Sequence, residues 1–453
     1  KNYGFKAFYR QAKFKLSMRN LNNLDKVMHI PKIILPKIKE EAFIIYNLDI
    51  SVIIPTKNAG EGFMHLIKTL KMQKGFRNVE IVVVDSGSID NTVNIAEQFN
   101  ARIINIKPEE FSHSYARNLG AENASGSYLF FTVQDALPPD NMFLYKLISI
   151  LKNNNIAAVS CAEFPREDAD LFYRVISWNH YNFLGVNGND KVSGMPKTVN
   201  HITLRQNGQL SDIACLISRE KFMNYKYRND YAEDLDLGIR LIKNDNKIAF
   251  LGLTRIIHSH NRQNYYFLKR GYVDSLFLST MFNDFPIPII NYNDFVLDII
   301  FTYNFIKETV IKEISELKFP LRSEEIETII KEKFQQAFKF TYPNTIYVDE
   351  NKYIDHRFGV FIKNLFDEKY KKEDKKYNGF LINSLFDFLH ITFEYINNTY
   401  EFIDKDLVED LKTCIYKEYS LLCGAHLAYC YLKSSQKEKQ KWQKIHEELK
   451  EGV

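Results

Sequence analysis

Four groups of residues in this chain have types and spacings that could do chemistry. Asp85 ends the β-branched run Ile81-Val82-Val83-Val84 and is followed by Ser86-Gly87-Ser88 and Asp90-Asn91-Thr92. A carboxylate at a strand end beside a polar helix start can recognise a base or ribose, and the same residues can also serve as a helix cap. Asp135 follows the apolar and aromatic run Tyr128 to Val133 and precedes Pro138-Pro139. From a strand end it can meet diphosphate oxygens through a divalent cation, magnesium or manganese being suited to hard oxygen ligands; it can also be an ordinary turn acid. In Tyr231-Ala232-Glu233-Asp234-Leu235-Asp236-Leu237-Gly238 three acids fall within four residues, just before the amphipathic run Ile239, Leu241, Ile242. Acids in a first helical turn favour the macrodipole, which accounts for one or two of them and leaves at least one to point into a site. His258-Ser259-His260 offers either a metal ligand or a pair of surface histidines.

The elements that must position these residues alternate. Ser51-Val52-Ile53-Ile54-Pro55 and Ile81 to Asp85 are short β-branched runs ended by turn signals, and they read as buried parallel strands. Between them Phe63, Leu66, Ile67 and Leu70 recur at helical spacing, and Val93, Ile95 and Ala96 begin a second helical stretch. Arg102 to Ile106 and Tyr128 to Val133 continue the series as third and fourth strands. Strand, helix, strand, helix implies an α/β fold with right-handed crossovers, in which ligands bind at the carboxyl ends of the strands. Beyond about residue 290 the pattern turns helical. Ser323 is placed to cap a helix with Ile326, Ile329, Ile330, Phe334 and Phe338 on one face, and Leu407 to Leu432 is a second long helical stretch. The division expected is a basic arm over 1–48, a catalytic α/β domain over 49–290 and an α-helical domain over 291–453. Pro31 and Pro36 break the arm, which reads as a segment packed on the next domain, with a membrane-surface helix as the other reading.

In this order the pieces resemble one family. V-I-I-P-T-K-N at 52–58, V-V-V-D-S-G-S-I-D-N-T at 82–92, A-R-N-L-G-A at 116–121, Q-D-A-L-P-P-D at 134–140, A-E-D-L-D-L-G-I-R-L at 232–241 and the histidines at 258 and 260 look like those of a family 2 glycosyltransferase of the GT-A fold. With F-S-H-S-Y-A-R-N at 111–118 and P-R-E-D-A-D at 165–170, the likeness is strongest to the rhamnosyltransferase-type subgroup. The resemblance implies a Rossmann-like, mainly parallel sheet flanked by helices. It also implies inverting transfer of a sugar from a nucleotide diphosphate donor, UDP- or dTDP-linked, to an acceptor hydroxyl. Position by position, it puts Pro55, Asn58 and Asp85 in the nucleoside pocket, Asp85 on the pyrimidine ring, and Arg117 and Gln134 near the donor. Asp135 matches the last acid of the D-x-D metal motif, and His258 the histidine that approaches the metal or diphosphate. Asp234 matches the general base, with Glu233 orienting the acceptor, while Asp236 is left to cap or brace the following helix. Val133 and Gln134 stand where relatives carry an acid and a variable residue, so Mn2+ or Mg2+ would lean more on the substrate's own diphosphate. The implied acceptor is a glycan or lipid-linked glycan of a bacterial capsule or lipopolysaccharide-type polysaccharide. That setting is cytoplasmic, at the inner face of a membrane, with room for peripheral membrane association and for a homodimer.

Composition narrows the classes. Basic residues number 60 against 56 acidic ones, with no basic stripe of the kind that tracks a phosphate backbone, so nucleic acid is not an expected partner. An apolar share of 45% and a charged share of 26% suit a globular chain with buried cores, and 453 residues suit two of them or more. Cys161, Cys215, Cys414, Cys423 and Cys430 form no C-x-x-C pair, which points away from a zinc cage or disulfide framework and toward a reducing compartment. The start at Lys1, without methionine or a secretory apolar stretch, reads as a trimmed or excised chain. Two other classes compete. One is a non-catalytic nucleotide- or carbohydrate-binding module whose helical half assembles partners. The other is a nucleotidyltransferase, for which Asn58-Ala59-Gly60-Glu61-Gly62 is a poor phosphate loop.

Overall fold

The computed structural model describes residues 45–153, 155–290, 292–318, 320–337, 351–369 and 379–450. The expected N-terminal arm lies outside them, except for Ile45 and for Tyr46 to Leu48, which belong to the first strand. By contacts the chain forms two compact units. One holds the residues up to Ala169 with Tyr181–Thr198 and Thr203–Ser259; the other holds Asp170–His180, Val199–Ile202 and the chain from His260 onward.

The first unit runs β1 (Tyr46–Thr56), α1 (Gly62–Lys71), β2 (Phe76–Asp85), α2 (Thr92–Gln98), β3 (Arg102–Asn105), α3 (His113–Glu122), β4 (Tyr128–Thr132), α4 (Phe143–Asn153) and β5 (Ala158–Phe164). It continues with α5 (Leu171–Leu184, of which the first turns count with the second unit), β6 (Asp190–Ser193), α6 (His201–Gly208), β7 (Ala214–Ser218), α7 (Arg219–Tyr225), α8 (Glu233–Lys243) and β8 (Ile248–Ile257). The strands make one sheet in the order β3-β2-β1-β4-β7-β5-β8-β6. β3, β2, β1 and β4 are parallel; β7 runs against both β4 and β5, β8 is parallel to β5, and β6 runs against β8. Six of the eight strands therefore share one direction, and the mainly parallel α/β sheet expected from the residue pattern is present.

Burial explains why these segments become these elements. Ile50, Val52, Ile53 and Ile54 are fully buried because β1 lies inside the sheet with a neighbour on each side, so both of its faces are covered. β3 is an edge strand, with a half-buried Ile103-Ile104 pair between exposed ends. α1 buries Phe63, Leu66, Ile67 and Leu70, the four residues whose spacing predicts it. Each such side chain contributes about 2 kcal/mol on removal from water. The strand directions decide where chemistry can sit. β1, β2, β4 and β8 end at Thr56, Asp85, Thr132 and Ile257 on one edge, and antiparallel β7 brings its beginning, Ala214, beside Thr132 on that same edge.

The second unit is helical: α9 (Asn264–Met281), α10 (Tyr292–Phe305) leading through a π segment (Ile306–Ile311) into α11 (Lys312–Glu316), α12 (Ser323–Gln336), α13 (His356–Lys369), α14 (Phe380–Thr399), α15 (Lys405–Lys433) and α16 (Gln436–Lys450). Ser323 is the first helical residue of α12 and not its cap. Arg322 takes the cap position, and its N–H donates to the Glu325 side chain at 2.8 Å. Ile326, Ile330 and Phe334 are buried as the spacing predicts, while Phe338 falls outside the described residues. α9 packs on α15 through two glycines. A Cβ on Gly271 would lie 2.0 Å from the Leu421 carbonyl oxygen, and one on Gly424 would lie 1.9 Å from that of Leu268, so the backbones touch where side chains are missing. Among the described residues no helix is long and apolar enough to cross a membrane.

One buried acid in this unit gives a stability prediction. Glu418 on α15 is fully buried; its Oε1 accepts from Thr392 Oγ1 and from Cys414 Sγ, and its Oε2 has no partner among the described residues. Burial outweighs these two hydrogen bonds and pushes the carboxyl up from the usual 4.5 to about 8. The folded state then holds a proton that the unfolded chain gives up. The stability linked to it is fully present below about pH 4.5 and is lost as pH rises to about 8. Relaxation and water entry reduce the full linkage value, leaving a loss on the order of 2–3 kcal/mol. Glu418→Gln, neutral at every pH, is expected to gain that much on the wild type between pH 5 and pH 8 in urea unfolding monitored by circular dichroism. A constant difference between the two proteins across that range would refute the assignment.

Candidate active site

The loops leaving β1 and β2 are clipped together at the carboxyl edge. Asp85, buried at the end of β2, accepts on Oδ1 from Thr56 Oγ1 (3.0 Å) and Ser88 Oγ (2.5 Å), and on Oδ2 from the N–H groups of Gly87 (3.1 Å) and Ser88 (2.9 Å). A carboxylate has about four acceptor positions, so a base could bind Asp85 only by sharing one of them or by turning Ser88 aside. Asn58 is exposed and left-handed, with φ 49°. Its N–H donates to Ser88 Oγ and its Oδ1 accepts from Ile89 N–H, both at 2.8 Å. The N–H groups of Ala59 and Gly60 reach Thr92 Oγ1 (2.8 Å) and Asp90 Oδ2 (3.0 Å). Pro55 is half-buried one residue before the end of β1. Gln134 adds a two-way amide pairing: Lys57 N–H donates to its Oε1 at 2.8 Å, and its Nε2 donates to the Lys57 carbonyl at 3.3 Å. An acid there would accept the N–H and repel the carbonyl, so the amide suits this loop.

Asp135 and His258 come together because the chain after β4 returns to the end of β8. Leu137 and Ile257 exchange two backbone hydrogen bonds of 2.9 Å, which sets Asp135 two residues before that bridge and His258 one residue after it. His258 is buried, not a surface histidine. Its Nε2 lies 3.6 Å from Asp135 Oδ1 and its Nδ1 lies 2.6 Å from Glu163 Oε2. Burial opposes charge on this ring, but the hydrogen bonds and charges of Asp135 and Glu163 outweigh it and push the imidazole up to about 9. Arg166 ties the surrounding loops. Its N–H donates to Ser259 Oγ (3.1 Å), Nη1 donates to the Ser259 carbonyl (3.3 Å), and Nη2 donates to the Asp135 carbonyl and lies 3.8 Å from Asp135 Oδ2. Asp135 and His258 offer a carboxylate oxygen and an imidazole nitrogen that could hold a divalent cation. One carboxylate with imidazole nitrogen suits Mn2+ better than the harder Mg2+, and leaves coordination positions for diphosphate oxygens.

The acid cluster at the start of α8 is organised by a buried arginine. Arg117 on α3 has no exposed surface; Nη1 lies 2.7 Å from Glu233 Oε1, Nη2 pairs with Asp212 Oδ2, and Cζ stands 5.9 Å from the Tyr227 ring centroid. Glu233 is buried against this guanidinium. Asp234 keeps a partly exposed surface, and its Oδ1 accepts from Leu235 N–H at 2.7 Å. Desolvation, then the charges of Asp212 and Glu233, drive its proton affinity well above the ordinary carboxylate range, against the pull of Arg117. Asp236 braces its own helix through Arg240 four residues on, at 2.8 Å. The residue before the acids, Ala232, is left-handed (φ 53°), which turns the chain sharply into α8. Asp212, Glu163 and Arg166 are the members of these clusters that no single-residue signal singled out. Arg166 does stand inside the 165–170 motif.

The family model described as Glycosyl transferase family 2 matches residues 51–211. The chain is similar to the O-antigen chain rhamnosyltransferase WbaN of Salmonella anatum, 26% identical over 47% of this chain and 66% of WbaN. It is similar also to RfbN of Salmonella typhimurium, another O-antigen chain rhamnosyltransferase, 26% identical over 47% of this chain and 67% of RfbN. The matched stretch thus spans about two thirds of these relatives' own lengths. Among solved structures it is similar to the mannosyltransferase PcManGT from Pyrobaculum calidifontis, with a TM-score of 0.41 and 18% identity over 62% of this chain and 76% of that one. The family model and the names of these relatives support a glycosyltransferase domain over residues 51–211, the stretch that holds the parallel strands ending at Asp85 and just before Asp135.

Proposed function

We propose that this protein moves a sugar, with inversion, from a UDP- or dTDP-linked donor to a hydroxyl of a glycan or lipid-linked glycan, in surface polysaccharide synthesis at the cytoplasmic face of a membrane. The observation that carries the proposal is Asp234, a partly exposed carboxylate of raised proton affinity at the edge where Asp85 and Asp135 also stand. An acceptor hydroxyl is a poor nucleophile until a group nearby takes its proton during attack, and raised proton affinity suits Asp234 to that task. Glu233, held by Arg117, orients the acceptor. Asp85, Asn58 and Pro55 face the nucleoside, and Gln134 keeps their loop in place. A divalent cation held by Asp135 and His258 would take up the charge that grows on the leaving diphosphate. The rhamnosyltransferase names of the relatives support a deoxyhexose donor.

Calorimetry with UDP-, dTDP- and GDP-sugars tests this reading. Binding of one uridine or thymidine diphosphate sugar, strengthened by Mn2+, is expected, followed by anomeric inversion in the product measured by proton NMR. Folded protein that binds none of these donors would sink it. Binding without transfer to any glycan would favour the non-catalytic module instead.

A further inference from the structure

We infer that Glu163 is a positioning residue for the cation site, holding His258 in the ring orientation that presents Nε2 to a cation shared with Asp135. This rests on reading Asp135 and His258 as ligands. An imidazole binds a metal through one nitrogen, and the hydrogen bond made by the other decides which one and in what orientation. Here Glu163 Oε2 lies 2.6 Å from Nδ1, while Nε2 lies 3.6 Å from Asp135 Oδ1.

Glu163 is itself held. The Tyr181 hydroxyl accepts from Glu163 N–H at 2.7 Å and donates to Oε1 at 3.3 Å, so the two carboxylate oxygens are divided between Tyr181 and His258. The backbone places it as well. β5 and β8 pair with a register shift between Cys161, opposite Leu251, and Ala162, opposite Arg255. Beyond the shift Glu163 stands opposite Ile256, and His258 N–H donates to the Phe164 carbonyl at 3.1 Å. Without the shift Glu163 would face Leu253, well short of His258. A metal motif with a single carboxylate depends more on how rigidly its ligands are held, and Tyr181, Glu163 and this shift supply that rigidity.

The test is Mn2+ binding to the full chain without substrate, followed by loss of the free-ion signal in electron paramagnetic resonance. Glu163→Ala is expected to weaken Mn2+ binding about 10–100-fold. Glu163→Gln, which keeps an acceptor for Nδ1 but not the charge, should fall between it and the wild type. Wild-type affinity in both variants would overturn the inference and leave the cation site standing. No Mn2+ uptake by the wild type would overturn the ligand assignment and the inference with it. If the alanine variant fails to fold, the isosteric glutamine variant decides: undiminished affinity overturns the inference, and a several-fold loss upholds it.

Discussion

Asp234→Asn is expected to lower the rate of sugar transfer by about 10²–10⁴-fold while leaving donor binding close to that of the wild type. The amide keeps the size of the carboxylate and an oxygen for the Leu235 N–H, so the start of α8 has no reason to move. It also removes a charge that Asp212 and Glu233 disfavour, so the variant should unfold at or above the wild-type temperature. Loss of activity in a protein of undiminished stability separates a proton acceptor from a structural acid. The pH dependence carries the same assignment. A base must be ionised to act, and desolvation with two neighbouring carboxylates raises the proton affinity of Asp234, so the wild-type kcat/KM should fall on acidification well above the ordinary carboxylate range. Transfer by Asp234→Asn within tenfold of the wild-type rate would remove Asp234 from the mechanism.

The largest stability effect is expected at Arg117. Replacing it with methionine keeps much of the buried volume but leaves Glu233 buried without its cation and Asp212 without a partner on this side. Breaking a buried pair in this way costs about 3–5 kcal/mol, because the remaining charge stays out of water. Lysine is not a conservative replacement, since a single ammonium cannot present the planar fork that meets Glu233 with one nitrogen and Asp212 with the other. Urea midpoints test the claim. Adding Glu233→Gln to Arg117→Met should restore part of the lost stability, because it removes the charge that the first change stranded. If the double variant is less stable than Arg117→Met by the full cost of a second, independent change, Arg117 acts through packing alone. Arg117, whose motif implies a place near the nucleotide, pairs in the structure with Glu233 and Asp212.

Much of the sheet was legible because its signals are local. A β-branched run closed by proline or by an acid and a Ser-Gly-Ser turn marks a buried strand from a handful of neighbours, and β1 and β2 contain the runs that predict them, while β4 ends at Thr132, one residue short of its predicted run. Helical spacing picked out all four buried residues of α1 for the same reason. The helix over Leu407 to Leu432 was recognisable as a helix, now seen over Lys405–Lys433, but not as the one that buries Glu418. The cap of α12 was misread by one residue, since serine is a strong capping type and nothing local shows that Arg322 and Glu325 close the turn instead.

The sequence by itself determined which acids stand at strand ends and at the start of α8, since position within an element follows from short-range pattern. Only the tertiary structure decided which partners those acids have. His258 and Glu163 are 95 residues apart, as are Arg117 and Asp212; Arg117 and Glu233 are 116 apart, and Lys57 and Gln134 are 77 apart. The Lys57–Gln134 pair exists because β1 and β4 lie side by side and parallel, and the others because the strand order interleaves β4, β7, β5 and β8, with antiparallel β7 beginning where β4 ends. The physical reason is that side-chain periodicity reports on a residue's own helix or strand. The proton affinity of Asp234 and the orientation of His258 depend instead on charges and hydrogen bonds from strands and helices that meet only when the sheet is assembled.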